Sequence, residues 1–184
     1  MASTLIIENG TNVSGADSYL SASDATVYCA NYRLTSWSSQ TDAQKDVLLR
    51  KATQYIDQYY LRRWKGQRTY NSQPLQWPRQ YVLQYEPEPP VDDYNSFAAG
   101  IPVYNYIDKN TIPTELKNAV AEAAYKFIAQ DMTEDQGRKT TSESVGSLSV
   151  TYAASAKEKT IFTRVEQLLT SLLLPTGQTK IYRS

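Results

Sequence analysis

Residues 41–60, TDAQKDVLLRKATQYIDQYY, form the stretch that decides the fold of this 184-residue chain. Apolar side chains recur in it at steps of three and four residues, which is the spacing of one face of an α-helix. They are Val47, Leu48, Ala52, Tyr55, Ile56 and Tyr59. Thr41 and Gln44 have the spacing of a capping box, which marks the start of a helix. The stretch therefore predicts an amphipathic helix over about residues 42–60, and other helices must cover its apolar face.

Three further segments show helical periodicity and predict helices over about residues 22–33, 113–132 and 157–174. Ser21 and Asp24 have capping-box spacing at the start of the first segment. Small alanine side chains in the segment 113–132 favour a close approach of a neighbouring helix. The sequence therefore predicts a mainly α fold, a small helical bundle of about four helices.

Residues 67–112 contain no long helical period, because prolines interrupt the segment repeatedly. Residues 144–152 alternate between apolar and polar side chains, which predicts a short β-strand, either hairpinned near Gly146 or paired with the N-terminal arm. We therefore expect one domain over residues 1–184. Its parts are a helical core at about 21–66 and 113–174, a long proline-rich loop at 67–112, an extended N-terminal arm at 1–20 and an extended C-terminal tail at 175–184.

The chain has no histidine and one cysteine, Cys29. Histidine-based catalytic triads, histidine metal sites, internal disulfides and zinc ribbons are therefore excluded. Glu115 and Lys117 have the spacing of a nuclease element, but a carboxylate in the first turn of a helix explains Glu115 better. No apolar run reaches the length of a membrane span. We expect a protein that is not an enzyme, with no catalytic residue, no cofactor and no metal, and with Cys29 as a buried thiol.

Residues 59–82, YYLRRWKGQRTYNSQPLQWPRQYV, concentrate positive charge in a chain whose formal net charge is zero. One hypothesis is that this segment binds single-stranded DNA, with bases stacked on aromatic rings and cations beside the phosphates. The stacking residues would then be Trp64, Tyr70 or Trp77. The cations would be Arg62, Arg63, Lys65 and Arg68, of which the first three are the candidate DNA-facing residues.

The competing hypothesis assigns the same segment to protein contacts. Arginine and the large aromatic residues dominate protein interfaces. The anchors of the long loop, to the bundle or to a neighbouring subunit, would be Trp64, Arg68, Trp77 and Arg79. The zero net charge favours this hypothesis, because a free nucleic-acid binder usually has an excess of positive charge.

Three short motifs in a fixed order resemble the head-tail connector proteins of tailed bacteriophages, also called adaptor or head-completion proteins. They are A-T-x-Y-I-D at residues 52–57, W-x-G-x-R at 64–68 and Q-x-L-x-W-P-R at 73–79. The resemblance spans nearly the whole chain, although the loop 80–112 is longer than the link of the simplest members. Some relatives in such families are labelled as single-stranded-DNA-binding proteins, which supports the alternative function.

The resemblance implies a structural protein of the virion that joins the portal of a capsid to the tail and extends the DNA channel. It implies a closed ring of about twelve copies. The partners would be the portal, a tail or nozzle protein and the double-stranded DNA that passes through, with no membrane. The location would be the head-tail neck of a virion that assembles in the host cytoplasm. Ile181, Tyr182 and Arg183 would help the C-terminal tail to dock on the portal.

Overall fold

The computed structural model describes residues 4–84, 105–129 and 163–175, and the backbone of two strands at 142–145 and 148–151. The predicted fold class is confirmed, since the described residues form four α-helices and little β-structure. The helices are α1 at Ala22–Asn31, α2 at Asp42–Tyr59, α3 at Thr114–Ala129 and α4 at Thr163–Leu169. Short 3-10 helices follow α1 and α4, at Thr35–Trp37 and Thr170–Leu172.

Side chains at the predicted positions cap the first two helices. The Ser21 hydroxyl accepts a hydrogen bond from the backbone N–H of Asp24 at 3.1 Å. At the start of α2 the capping box is complete, because Gln44 N–H donates to the Thr41 hydroxyl and Thr41 N–H donates to the Gln44 side chain at 2.8 Å. Both helices therefore begin where local chemistry satisfies their first N–H groups.

Helix α3 lies at the centre of the bundle and contacts α1, α2 and α4. Its buried face combines Leu116 and Val120 with alanines, whose small side chains let the neighbouring helices approach closely. Full burial of each of the two larger side chains contributes roughly 1.5–3 kcal/mol. Cys29 of α1 is buried as expected, and burial together with the nearby Glu122 raises the pKa of its thiol to about 11. None of the described helices is both long enough and apolar enough to cross a membrane.

The buried face of α2 is rotated relative to the predicted stripe. Val47 is 40% exposed, whereas Leu49, which the stripe omitted, is fully buried. Asp57 was expected off the stripe but is also buried. Asp57 is buried because Tyr19 and Gln76, from segments outside the helices, lie against the C-terminal half of α2 and donate hydrogen bonds to its carboxylate.

Two small antiparallel pairs complete the described structure. Strands β1 at Gln67–Arg68 and β2 at Arg79–Gln80 form a ribbon inside the predicted loop. Strands β3 at Ser142–Val145 and β4 at Leu148–Thr151 pair with each other, so the strand predicted near Gly146 is a hairpin. Residues 85–104, in the same loop, lie outside the described residues.

Residues 4–20, which we expected to extend as an arm, lie against the helices. Tyr19 and Leu20 are part of the hydrophobic core. The buried Glu8 carboxylate organises the turn at residues 10–13 by accepting hydrogen bonds from three backbone N–H groups at 2.8–3.1 Å. Gly10, with φ of +105°, approaches Asn110 so closely that a β-carbon there would lie 1.7 Å from the carbonyl oxygen of Asn110. The N-terminal segment is therefore packed against both the bundle and the residues before α3.

Candidate nucleic-acid interface

The two tryptophans of residues 59–82 lie in the interior. Trp64 and Trp77 are both 0% exposed, and their rings meet edge to face with centroids 6.0 Å apart. The chain folds back after α2 so that Trp64 pairs with Leu173, beyond α4. The two rings form the part of the core that joins α2, α4 and the ribbon. Because they are buried, neither indole can stack on a base. The prediction that Trp64 or Trp77 stacks on single-stranded DNA is therefore wrong.

Two arginines of the same segment hold the ribbon together. The Arg79 guanidinium is buried and donates to the backbone carbonyls of Lys65, Gly66 and Gln76 at 2.8–3.1 Å. Arg68 donates to the backbone carbonyl of Gln73. These cations satisfy carbonyl oxygens inside the protein, so they are not placed to meet phosphates.

The three candidate DNA-facing cations have different surroundings. Arg63 forms an ion pair with Glu166 at 2.6 Å and lies over the ring of Tyr60. The Lys65 ammonium donates to the backbone carbonyl of Ser171 at 2.8 Å. Arg62 is exposed and makes no hydrogen bond or ion pair within the residues that the structure describes. Of the three, Arg62 is therefore the cation best placed to meet a phosphate.

An exposed aromatic pair lies on the ribbon side of the molecule. Tyr81 is 63% exposed and Tyr106 is 46% exposed, and their rings meet edge to face with centroids 6.2 Å apart. Leu83, also exposed, forms a β-bridge with Tyr106, and Ile107 N–H donates to the Val82 carbonyl at 2.8 Å. Residues 105–107 therefore run beside 82–84, and the two tyrosines form one surface.

The backbone of Tyr81 is held in a conformation that bulky residues rarely adopt. Its φ is +61°, in the left-handed region where a side chain costs roughly 1–2 kcal/mol. Gly66 fixes this turn from the other side, because a β-carbon there would lie 2.2 Å from the Gln80 carbonyl oxygen. Asn12 and Arg33 also have a positive φ, but of these three residues only Tyr81 brings an exposed aromatic ring to the ribbon.

Polar contacts join residues 69–70, which follow β1, to residues 109–110, which follow Tyr106 in the chain. The Thr69 hydroxyl donates to the backbone carbonyl of Lys109 at 3.1 Å, and the Tyr70 hydroxyl donates to the Asn110 side chain at 3.2 Å. The Lys109 side chain is exposed, and Tyr70 is half-buried. Residues 69–70 and 109–110 therefore continue the surface away from the tyrosines. We call Tyr81, Tyr106 and these flanking residues the ribbon surface.

On α2, the buried carboxyl group of Asp57 joins three segments. The Tyr19 hydroxyl donates to both of its oxygens at 2.7 and 2.8 Å, and Gln76 N–H donates to one of them at 2.9 Å. Trp77 N–H donates in turn to the Tyr19 oxygen at 3.0 Å. Burial raises the pKa of Asp57 to about 7, although these hydrogen bonds and the charges of Arg79 and Arg68 act in the opposite direction. Burial, with Asp57 as a second cause, also raises the pKa of Tyr19.

Comparison with known protein families gives a match over nearly the whole chain. Residues 3–184 match the family described as "Putative DnaT-like ssDNA binding protein". The chain belongs to this family. No curated protein and no solved structure matches the chain significantly.

Membership in the DnaT-like family shows that the assignment to head-tail connectors was wrong, and so was the predicted role of a virion protein that joins the portal of a capsid to the tail. The motifs behind that assignment contribute Asp57, Trp64, Trp77 and Arg79, all of them buried. Buried residues of this kind stabilise a fold, and a shared fold does not imply a shared function. The ring of copies and the portal, tail and duplex-DNA partners depended on the same resemblance and stay untested predictions. Ile181, Tyr182 and Arg183 lie outside the described residues.

Sequence reasoning missed the two exposed tyrosines of this DnaT-like protein. Tyr81 lies near the end of the basic segment 59–82, and Tyr106 lies in the long loop 67–112. They are 25 positions apart and meet only through the pairing of residues 82–84 with 105–107. No local pattern marks either tyrosine as exposed, because their pairing depends on segments far apart in the sequence.

Proposed function

We propose that this protein binds single-stranded DNA without catalysing a reaction on it, and that the ribbon surface is where bases stack. The observation that supports the function is the match of residues 3–184 to a family described as binding single-stranded DNA. The exposed pair of Tyr81 and Tyr106 supports the location, since aromatic side chains are the usual stacking platform for unpaired bases.

The geometry of the tyrosine pair suits a ligand with several flat rings. In an edge-to-face pair the edge of one ring lies against one face of the other, and at 63% and 46% exposure both Tyr81 and Tyr106 keep accessible ring surface on which a base can stack. Such stacking is worth about 1–3 kcal/mol per base and tolerates any sequence, because every base has a π-face. The surface therefore favours unpaired over paired strands, whose bases are already stacked on one another.

Phosphate contacts make a smaller contribution in this proposal. Lys109 on the ribbon surface and Arg62 after α2 are both exposed. The other cations near the ribbon, Lys65, Arg68 and Arg79, already donate to backbone carbonyls. Because few exposed cations lie near the ribbon surface and the formal net charge is zero, the affinity for single-stranded DNA depends mainly on base stacking.

Fluorescence anisotropy with a labelled oligothymidylate tests the function and the surface together. We expect the wild-type protein to bind the oligonucleotide and an unlabelled duplex to compete poorly. Tyr106→Ala should weaken binding by about 5- to 150-fold, which corresponds to 1–3 kcal/mol for one stacked base. Tyr32→Ala is the matched control, because Tyr32 is an equally exposed tyrosine at the end of α1.

The outcomes separate the two parts of the proposal. If the wild-type protein does not bind the oligonucleotide even at low salt, the function is contradicted. If it binds, but Tyr106→Ala weakens binding no more than Tyr32→Ala, the bases stack elsewhere. A circular dichroism spectrum of each variant shows whether the helical fold is kept.

A further inference from the structure

An open groove beside α2 is distinct from the ribbon surface. Its volume is about 490 Å³, within the range of roughly 300–1,000 Å³ that small-molecule sites occupy. Helix α2 supplies one wall, residues 16–17 a second and residues 74–76 a third, with Asp57 at the junction of the three. The groove is thus built from segments that the buried Asp57 network already holds in place.

Two glutamine side chains in this groove are available for hydrogen bonds. Gln54 and Gln58 are four residues apart on α2, so they lie on the same face of the helix. Both are exposed, and neither side chain makes a hydrogen bond within the residues that the structure describes. Each primary amide offers one acceptor and two donors, the combination that pairs with the edge of a nucleobase, adenine above all.

Apolar side chains flank these amides. Leu61 follows α2 and is exposed, and Pro74 and Leu75 face it from the other wall. Such side chains can cover the flat face of a heterocycle while the amides contact its edge. A planar molecule with a polar rim fits this arrangement better than a chain of apolar groups or a compact ion.

The charges of the groove argue against an anion. The cation in its lining, Arg50, forms an ion pair with Asp17 at 2.5 Å. Asp57 adds a carboxyl group whose oxygens accept from Tyr19 and Gln76. The lining therefore has no excess of positive charge with which to hold a phosphate.

We infer that this groove accepts one nucleobase of a bound strand, with Gln54 and Gln58 on its edge and Leu61, Pro74 and Leu75 on its faces. This inference rests on the proposed function for the source of the base. The phosphate attached to that base would lie outside the groove, where Arg62 follows Leu61 directly and is exposed.

The test uses the full chain and the double variant Gln54→Ala/Gln58→Ala, which suits a helix because alanine is the best helix former. We expect side-chain amide signals of Gln54 and Gln58 to shift in NMR spectra when deoxyadenosine is added, but not when inorganic phosphate is added. The double variant should bind an oligoadenylate at least about fivefold more weakly, the lower limit for one paired base edge. Gln167→Ala is the matched control, because Gln167 is an exposed glutamine on α4.

Each outcome decides the inference. It is contradicted if deoxyadenosine leaves both amide signals unmoved, if phosphate moves them equally, or if the double variant binds the oligoadenylate as tightly as Gln167→Ala does. The proposed function survives all three results as long as the wild-type protein binds oligonucleotides. If oligonucleotides do not bind but deoxyadenosine shifts the two amides, the proposed function fails and the groove remains a site for a free nucleoside.

Discussion

The carboxyl group of Asp57 is the point where α2, the N-terminal segment and the ribbon meet. Tyr19 and Gln76 donate to it, and the charged groups that act on it are Arg68 and Arg79. Burial outweighs all of these and raises its pKa to about 7, compared with about 3.9 for an aspartate in an unfolded chain. At pH values between these two pKa values, the carboxyl group of Asp57 is mostly protonated in the folded protein and mostly ionised in the unfolded chain.

This proton binding predicts how stability depends on pH. Because the folded-state pKa is the higher one, Asp57 favours folding at low pH, and its contribution to the free energy of unfolding should fall as pH rises from about 4 to about 7, by up to about 1.4 kcal/mol per pH unit. Asp57→Asn should lack this fall, because asparagine does not titrate. Urea unfolding at a series of pH values measures both slopes, with Asp46→Asn on the same helix as the control. Equal slopes for the wild-type protein and Asp57→Asn would contradict the assignment.

At the scale of elements, the ribbon of β1 and β2 is short, and the packing around it determines its position. Gly66 precedes β1 with φ of +60°, close against the backbone of residues 80–81 and the side chain of Val82. Arg79 closes the same turn through the carbonyls of Lys65 and Gly66. The exposed position of Tyr81 therefore depends on a glycine and a buried arginine.

Gly66→Ala tests this dependence. The left-handed backbone alone should cost about 1–2 kcal/mol, and displacement of the Gln80 carbonyl should add to that cost. Gly15→Ala is the matched control, because Gly15 also has a positive φ of +71° but its β-carbon would meet only Ile6, at 3.7 Å. Urea unfolding should show a larger loss of stability for Gly66→Ala than for Gly15→Ala. Similar losses would mean that contact with residues 80–82 is unimportant.

At the scale of the whole molecule, the distribution of charge limits how the protein can hold DNA. The sequence has equal numbers of basic and acidic residues, 19 of each. Within the described residues, several cations of the segment 59–82 are engaged inside the protein, as the contacts of Arg63, Lys65 and Arg79 show. Binding that depends on stacking therefore releases few counterions.

The salt dependence of binding measures this balance. For single strands the slope of log K against log salt concentration is about −0.7 per neutralised phosphate, so contacts to two or three phosphates predict a slope no steeper than about −2. Anisotropy titrations of an oligothymidylate at several sodium chloride concentrations give the slope. Arg62→Ala should make it shallower, whereas a wild-type slope far steeper than −2 would show that phosphates rather than bases dominate.

The sequence by itself determined the helices of this protein. The helical period of α2 and the capping box of Thr41 and Gln44 involve residues at most four positions apart, so the sequence predicts that the helix forms and where it begins, although not the full extent of its buried face. The hairpin near Gly146 is local in the same sense. The mainly α fold class can therefore be predicted without knowledge of any tertiary contact.

Only the tertiary structure decided which aromatic side chains around the ribbon are buried and which are exposed. Trp64 and Trp77 are residue types that suit a binding surface but are buried, whereas Tyr81 and Tyr106 are exposed on one surface. Aromatic and charged side chains suit a core and an interface equally well, so their type does not settle their position. What settles it is contact between segments far apart in the chain, such as Trp64 with Leu173 and Leu83 with Tyr106. No local pattern encodes such contacts, because they form only when the whole bundle has packed.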